Sequence, residues 1–209
     1  MQWDDTGILL RKQKFGESQH ILVFLTPLFG KRAALYRLKS LKHPEPGECF
    51  QLTWKGRLQE HLGHWSFLER LGSPLLMHIL GHSGKLYALS SALYLTDKML
   101  ADQDPHTVLY EALLSFIETL KHNDPKWILS YLFYEITLLR EIGFGLDLSR
   151  CAVTGSVHSL AFVSPRTGHA VTALAGKDYL DRLLPLPPFL KEWERDTKKR
   201  DRNKRSSRA

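Results

Sequence analysis

FQLTWKGRL, residues 50–58, decides how the first third of the chain is read. Phe50, Leu52 and Trp54 alternate with Gln51, Thr53, Lys55 and Arg57, the period of two that puts successive side chains on opposite faces of a strand. One face belongs to a core; the other presents cations. Similar segments recur on either side. TGILLR (6–11), ILVFL (21–25), KRAALYRL (31–38) and WSFL (65–68) are the further strand candidates, and Gly16, Pro27 with Gly30, Pro44 with Pro46 and Gly47, and Gly63 fall between them. Five short strands punctuated by turn residues predict a small barrel or sandwich, and a five-stranded OB-type β-barrel fits the count.

After Pro74 the period changes. Tyr87, Leu89, Leu93 and Tyr94, with Met99 and Leu100 further on, recur at helical spacing. Asp104-Pro105 and Asp124-Pro125 then read as two helix starts, an aspartate to cap free amides and a proline at the first helical position. An amphipathic stretch follows each, Val108 to Leu120 and Ile128 to Ile142, and Gly143 with Gly145 ends the second. Residues 146–175 lose the helical period, and a short apolar helix with a proline stop is expected at 177–190. The final KKRDRNKRSSRA (198–209) is nearly devoid of apolar residues and reads as a solvated, disordered tail. The expected organisation is thus α+β and multidomain: a barrel domain at 1–74, a helical bundle domain at 75–195 interrupted at 146–175, and a basic tail at 196–209.

Charge bears on partners. The net charge is +7, but residues 1–77 hold 11 basic and 7 acidic residues, residues 78–189 hold 9 and 11, and residues 190–209 hold 9 and 4. Positive charge at both ends of a mildly acidic middle suits a phosphate-bearing partner, although a solubility surface with a basic tail has the same composition. Lys31, Arg32, Arg37, Lys39 and Lys42 fall within a dozen residues, with Tyr36 among them, and Lys55 and Arg57 follow on the next strand. Cations interleaved with an aromatic ring are what a single-stranded nucleic acid needs, the charges for phosphates and the ring for a base. The candidate nucleic-acid-binding set is therefore Lys31, Arg32, Tyr36, Arg37, Lys39, Lys55 and Arg57; the competing reading of Tyr36 and Trp54 is a place in the core.

Catalytic and metal patterns are sparse. GHSGK (81–85) echoes the end of a phosphate loop but has Ile79 at the place of its first glycine and Leu86 instead of Ser or Thr. The ten histidines form no paired metal pattern, and His61 and His64 read as surface or turn residues. No clustered carboxylates suit two-metal hydrolysis, so the chain is not expected to be an enzyme. Cys49 and Cys151 are expected to stay reduced. CAVTGSVHSLAFVSPRTGHAV (151–171) begins like a zinc knuckle, yet Thr154 stands where a second thiolate would, and Cys151, His158 and His169 are irregularly spaced. A metal-free hairpin is expected there, with Leu160, Phe162 and Val163 packing and the chain turning from Pro165 to Gly168. MQWDD lacks a basic leader, and no apolar run reaches membrane-spanning length, so a cytoplasmic protein without a membrane role is expected.

WDDTGILL (3–10), GES (16–18), LTP (25–27), GKR (30–32), RLKS (37–40), LQEHLG (58–63), GFGLDLSRCAVTG (143–155), VSPRTGHAV (163–171) and RLLPLPPFL (182–190) occur in an order that resembles the RecO family of bacterial DNA repair and recombination mediators. The resemblance implies an N-terminal OB fold and a helical domain carrying a zinc-ribbon-like insert. It implies binding to single- and double-stranded DNA, annealing of complementary strands, and action on DNA coated by single-stranded-DNA-binding protein. The partners implied are that coat protein, RecR and, indirectly, RecA, with a nucleoid-associated location. An adaptor that recruits an acidic peptide through its helical domain is the alternative. Some members carry four cysteines in the insert; here Cys151 alone remains, so no cofactor is expected.

Overall fold

Phe50, Leu52 and Trp54 turn inward together and Gln51, Thr53 and Lys55 outward, as the alternation requires. In the computed structural model, which describes residues 1–37 and 44–190, their strand is the fourth of five: β1 (Gln2–Phe15), β2 (Gln19–Thr26), β3 (Gly30–Arg37), β4 (Cys49–Lys55) and β5 (His64–Arg70). They close in the order β1-β2-β3-β5-β4, with β4 returning antiparallel to β1 from Gln2↔Lys55 to Ile8↔Cys49. The parallel β3–β5 contact, Leu35↔His64, completes the OB-type closure.

The apolar runs of β1 and β2 have a different origin from the alternation of β4. Leu9, Leu22 and Phe24 enter the barrel beside Ala34, Phe50, Leu52, Trp54 and Trp65. Ile8, Leu10 and Leu25 instead pack into a core shared with helices. A register shift between Leu9 and Arg11 accommodates the change along β1. Strands buried on both faces have no position where a polar side chain meets water, so their sequence is continuously apolar.

Four helices supply the rest of that core: α1 (Leu76–Ile79), α2 (Ser83–Met99), α3 (Thr107–Leu120) and α4 (Trp127–Glu141). Barrel and helices make one compact unit, Met1–Ile142. Leu89, Ala92, Leu109, Leu113, Phe116 and Tyr134 lie at its centre. The Tyr134 hydroxyl is within 2.7 Å of Thr96 Oγ1 and donates to the Ala92 carbonyl at 2.8 Å, so its burial leaves no unpaired polar atom. Both aspartate-proline pairs precede helices, but α3 and α4 begin two residues after the prolines. Neither cap position makes a side-chain bond to the helix. Asp104 faces His106 at 3.5 Å, whereas Asp124 accepts the Lys126 N–H at 2.9 Å. Gly143, at φ 87, stands just past α4, in the left-handed conformation that glycine adopts most easily.

The barrel meets the α2–α3 connection at Gly30. A Cβ there would overlap the backbone of Asp104, and φ is 66, so both space and conformation demand glycine. Next to it Gln103 N–H donates to the Lys31 carbonyl at 3.0 Å.

A second unit begins at Gly143. Its strands β6 (Asp147–Cys151), β7 (Leu160–Val163), β8 (His169–Thr172) and β9 (Leu184–Pro185) form a sheet in the order β6-β8-β7-β9. β7 and β8 are the expected hairpin: Gly168 N–H closes the turn on the Ser164 carbonyl at 2.8 Å. After α5 (Ala173–Gly176) the helix expected at 177–190 is shorter and tighter: two 3-10 turns over Lys177–Arg182, separated by a kink at Tyr179 (φ −131, ψ 22). Leu184 and Pro185 then pair with Val163 and Phe162, and sheet pairing with prolines in the segment takes over where a helix would have continued. The tail, 196–209, lies outside the described residues.

Candidate nucleic-acid interface

Lys55 ends β4, and strand register decides what surrounds it. It pairs with Gln2 on one side and His64 on the other; His64 also meets Leu35 of β3, and Arg37 lies opposite Gln19. An open depression of about 570 Å³ at this end of the barrel is lined by Gln19, Leu35, Lys55, Arg57, His61 and His64, among others. None of the described residues lining it is acidic. Arg37, Lys55, Arg57, His61 and His64 are all exposed. The lining carries no carboxylate, Glu60 being exposed in the same loop but outside it, and among the described residues Arg37, Lys55 and Arg57 form no ion pair that a phosphate would first have to break.

The remaining members of the expected set go elsewhere, because β3 also obeys a period of two. Arg32, Ala34 and Tyr36 turn inward while Lys31, Leu35 and Arg37 turn outward. Lys31 bridges to Asp102 at 3.1 Å and donates to the Asp97 carbonyl at 2.6 Å, tying β3 to the helical part of its unit. Tyr36 packs against the barrel core and lines a separate small cavity with Pro44, Phe50, Leu68 and Arg70. Lys39 lies outside the described residues. His61, His64 and Gln19 were not among the expected residues; the pairing of Lys55 with His64 and of Arg37 with Gln19 brings in two of them, and the β4–β5 connection brings His61 to the lining.

Arg32 is 3% exposed. Its Cζ lies 5.3 Å from the Trp54 ring and 5.9 Å from the Trp3 ring, and Nη1 donates to the Gln59 carbonyl at 2.7 Å. Nε and Nη2 have no hydrogen-bond partner among the described residues, and neither has Trp3 Nε1. Burial pulls the guanidinium below its ordinary pKa, with the charge of Asp102 opposing.

Residues 56–63 connect β4 to β5 across Trp54. A Cβ on Gly56 or on Gly63, the latter at φ 61, would overlap the indole ring. Trp54 Nε1 donates to the Leu62 carbonyl at 3.2 Å.

Two sequence features resolve differently. Lys85, the lysine of GHSGK, is buried and donates to the carbonyls of Leu120 at 2.9 Å and His122 at 2.7 Å, closing the C-terminal end of α3. Cys151 is 1% exposed; its sulfur accepts N–H groups from Thr154 at 3.5 Å and Thr172 at 3.4 Å and lies 3.7 Å from Thr172 Oγ1. Burial pushes this thiol up, but hydrogen bonds from Thr154, Thr172 and Val153 outweigh it and bring the pKa to about 6. His158 and His169 are exposed, and no group of three or more His, Cys, Asp or Glu among the described residues could hold a metal ion. One hydrogen-bonded thiol does not fit the four S or N donors of a structural zinc. No described helix is long and apolar enough to cross a membrane.

Residues 83–206 match the family model described as Recombination protein O C terminal. A DNA repair protein RecO from Cereibacter sphaeroides is 42% identical over 193 residues, covering 90% of this chain and 78% of that protein. A protein of the same name from Ruegeria sp. is 39% identical over 195 residues, with 91% and 80% covered. One from Ehrlichia chaffeensis is 36% identical over 192 residues, with 91% and 78% covered.

Proposed function

The chain belongs to the RecO family of DNA repair proteins, and from that premise we propose that it is a non-enzymatic recombination mediator whose barrel binds DNA at the Lys55 depression. A depression whose lining holds Lys55, Arg57, His61 and His64 and no acid, with Arg37 exposed two residues along β3 from the Leu35 in its wall, is the observation that carries this reading. Phosphates of a strand crossing the barrel end meet the exposed cations, and release of counterions drives association whatever the base sequence. Neutralising two strands in turn lowers their mutual repulsion, which is the physical requirement for annealing complements. In a cell the substrate is single-stranded DNA coated by single-stranded-DNA-binding protein. The mediator, with RecR, helps RecA take the coat's place in the nucleoid. Duplex DNA offers the same phosphates and binds through the same term.

A triple variant, Arg37→Ala with Lys55→Ala and Arg57→Ala, tests the site by titration with an oligothymidylate at several salt concentrations. Each lost contact to a single strand should flatten the log–log salt slope by about 0.7, so the triple variant should lose about 2. Annealing of complementary oligonucleotides should slow in parallel. The same measurement on a chain ending at residue 195 separates the tail's contribution. Unchanged affinity and slope in the triple variant would place the DNA surface away from this end of the barrel.

A further inference from the structure

Arg32 is a buried cation to which no carboxylate is committed. Asp102, whose charge reaches it, is bonded to Lys31 instead. A neutral carbonyl, that of Gln59, receives one guanidinium N–H, while Nε and Nη2 remain unpaired beside the unpaired indole N–H of Trp3. Nε and Nη2 form one edge of the planar fork, the edge suited to two oxygens of a single oxyanion.

The group that covers Arg32 is weakly held. Side chains from Arg57 through Leu62 are all exposed, Leu58 at 43% and Leu62 at 41% included, so no side chain of the loop is fully buried. Among the described residues, two bonds from the barrel interior reach its middle: Arg32 Nη1 to Gln59 O and Trp54 Nε1 to Leu62 O. Its ends are pinned at glycines, Gly56 N–H to the Met1 carbonyl at 3.1 Å and the Gly63 carbonyl accepting from Leu35 N–H at 3.2 Å. Gly56, Arg57, His61 and Gly63 also form a wall of the depression.

We propose that the 56–63 loop is a lid over an oxyanion site, and that the Gln59 carbonyl holds the place of a phosphodiester oxygen which a single strand supplies. This rests on the depression being the DNA site. A strand held by Lys55 and Arg57 brings a phosphate to the loop, which swings on Gly56 and Gly63 and yields Arg32. The exchange is favourable because a charge-assisted, bidentate contact replaces a single bond to a neutral acceptor and satisfies donors that were orphaned. The same movement uncovers the Trp54 ring, a stacking face for an unpaired base beside the bound phosphate. Bases in a duplex are not free to use it, so the ligand class is single-stranded nucleic acid.

Two variants test the lid with an oligothymidylate probe. Arg32→Met removes the charge but keeps an apolar side chain among the tryptophans. It is expected to melt at or above the wild-type Tm, to bind several-fold more weakly, and to flatten the salt slope by about 0.7. Deleting Leu58 and Gln59, with Arg57, Glu60 and His61 kept, should shorten the lid and tighten binding several-fold, and adding Arg32→Met should abolish that gain. A lowered Tm with unchanged affinity and slope in Arg32→Met makes Arg32 a structural residue and overturns the proposal. So does a shortened loop that leaves affinity unchanged, which decides the matter even if Arg32→Met fails to fold. Binding that falls in the Arg37, Lys55 and Arg57 triple variant but ignores both lid variants removes the lid alone. Binding indifferent to the triple variant removes the site on which it rests.

Discussion

The β1–β2 side of the barrel and its β4–β5 side are cut from the same kind of short strand, yet they meet different surroundings. On the first, Leu9, Leu22 and Phe24 fill the barrel while Ile8, Leu10 and Leu25 fill the core shared with the helices. On the second, Phe50, Leu52 and Trp54 face inward and Gln51, Thr53 and Lys55 face outward. An unbroken apolar run therefore marks the wall that the helices cover, and an alternating run marks the wall they leave uncovered. Cations follow the same division. Lys31 is spent on Asp102 and Asp97 where β3 meets the helical part, whereas Lys55 and Arg57 are exposed at the far end of β4.

Matched truncations would break this comparison most directly. Ile8→Ala should cost about 2–5 kcal/mol, as for any large aliphatic side chain in a filled core, while Gln51→Ala should stay within about 0.5 kcal/mol. Urea denaturation of both measures the contrast, and equal losses would mean that the two walls are equally buried.

Cys49 sits at the border between them, on β4 but packed against the helical core and paired with Ile8. Burial pushes its thiol up to about 11, from 9.0, with Glu118 adding and Lys121 opposing. The unfolded chain ionises first, so stability is intact below pH 9 and falls, on the order of 2 kcal/mol, as pH rises toward 11. Burial also raises Tyr110 and Tyr134, which extend the fall above pH 10. Cys49→Ala should flatten the segment between pH 9 and 10 in a series of urea titrations; an unchanged curve would show that the thiol titrates as in water.

Within the shared core, Tyr134→Phe leaves Thr96 Oγ1 without its tyrosine partner and should cost about 1–2 kcal/mol by the same measurement. No loss would mean that the buried hydroxyl pair contributes nothing net. The smallest effect is expected in the second unit, where dialysis against a chelator should leave Tm and far-ultraviolet circular dichroism unchanged. Cys151 already has its hydrogen bonds there, and zinc measured at one atom per chain, lost together with structure in the chelator, would refute a metal-free fold.

The barrel was legible because each strand carries its own period and turn residues, and the helical part because Leu109, Leu113, Phe116 and Leu120 recur on one face. The helix boundaries were less so: Asp104 and Pro105 offer a cap and a first turn, but the carboxylate turns to His106 and α3 starts at Thr107. At 177–190 an apolar run with its proline stop suggested one short helix, where 3-10 turns over Lys177–Arg182 give way to pairing of Leu184 and Pro185 with β7. For the candidate site, basic density picked out Arg37, Lys55 and Arg57, which are exposed, but ignored the phase of β3, which sends Arg32 and Tyr36 inward. His61, His64 and Gln19 depend on which strands become neighbours, and closure of a barrel is a long-range event that a local pattern does not encode.

The tryptophans at the barrel mouth make the molecule its own optical probe. Trp3 stacks on Trp54 with ring centroids 5.8 Å apart at 15° and meets Trp65 edge-on at 5.9 Å. Rings this close share their electronic transitions, so the near-ultraviolet spectrum carries a coupled signature of the cluster. Trp54 also donates its N–H to Leu62 in the crossing loop. Any departure of that loop would shift emission and admit a soluble quencher, allowing occupancy of the barrel end to be followed in an unlabelled chain.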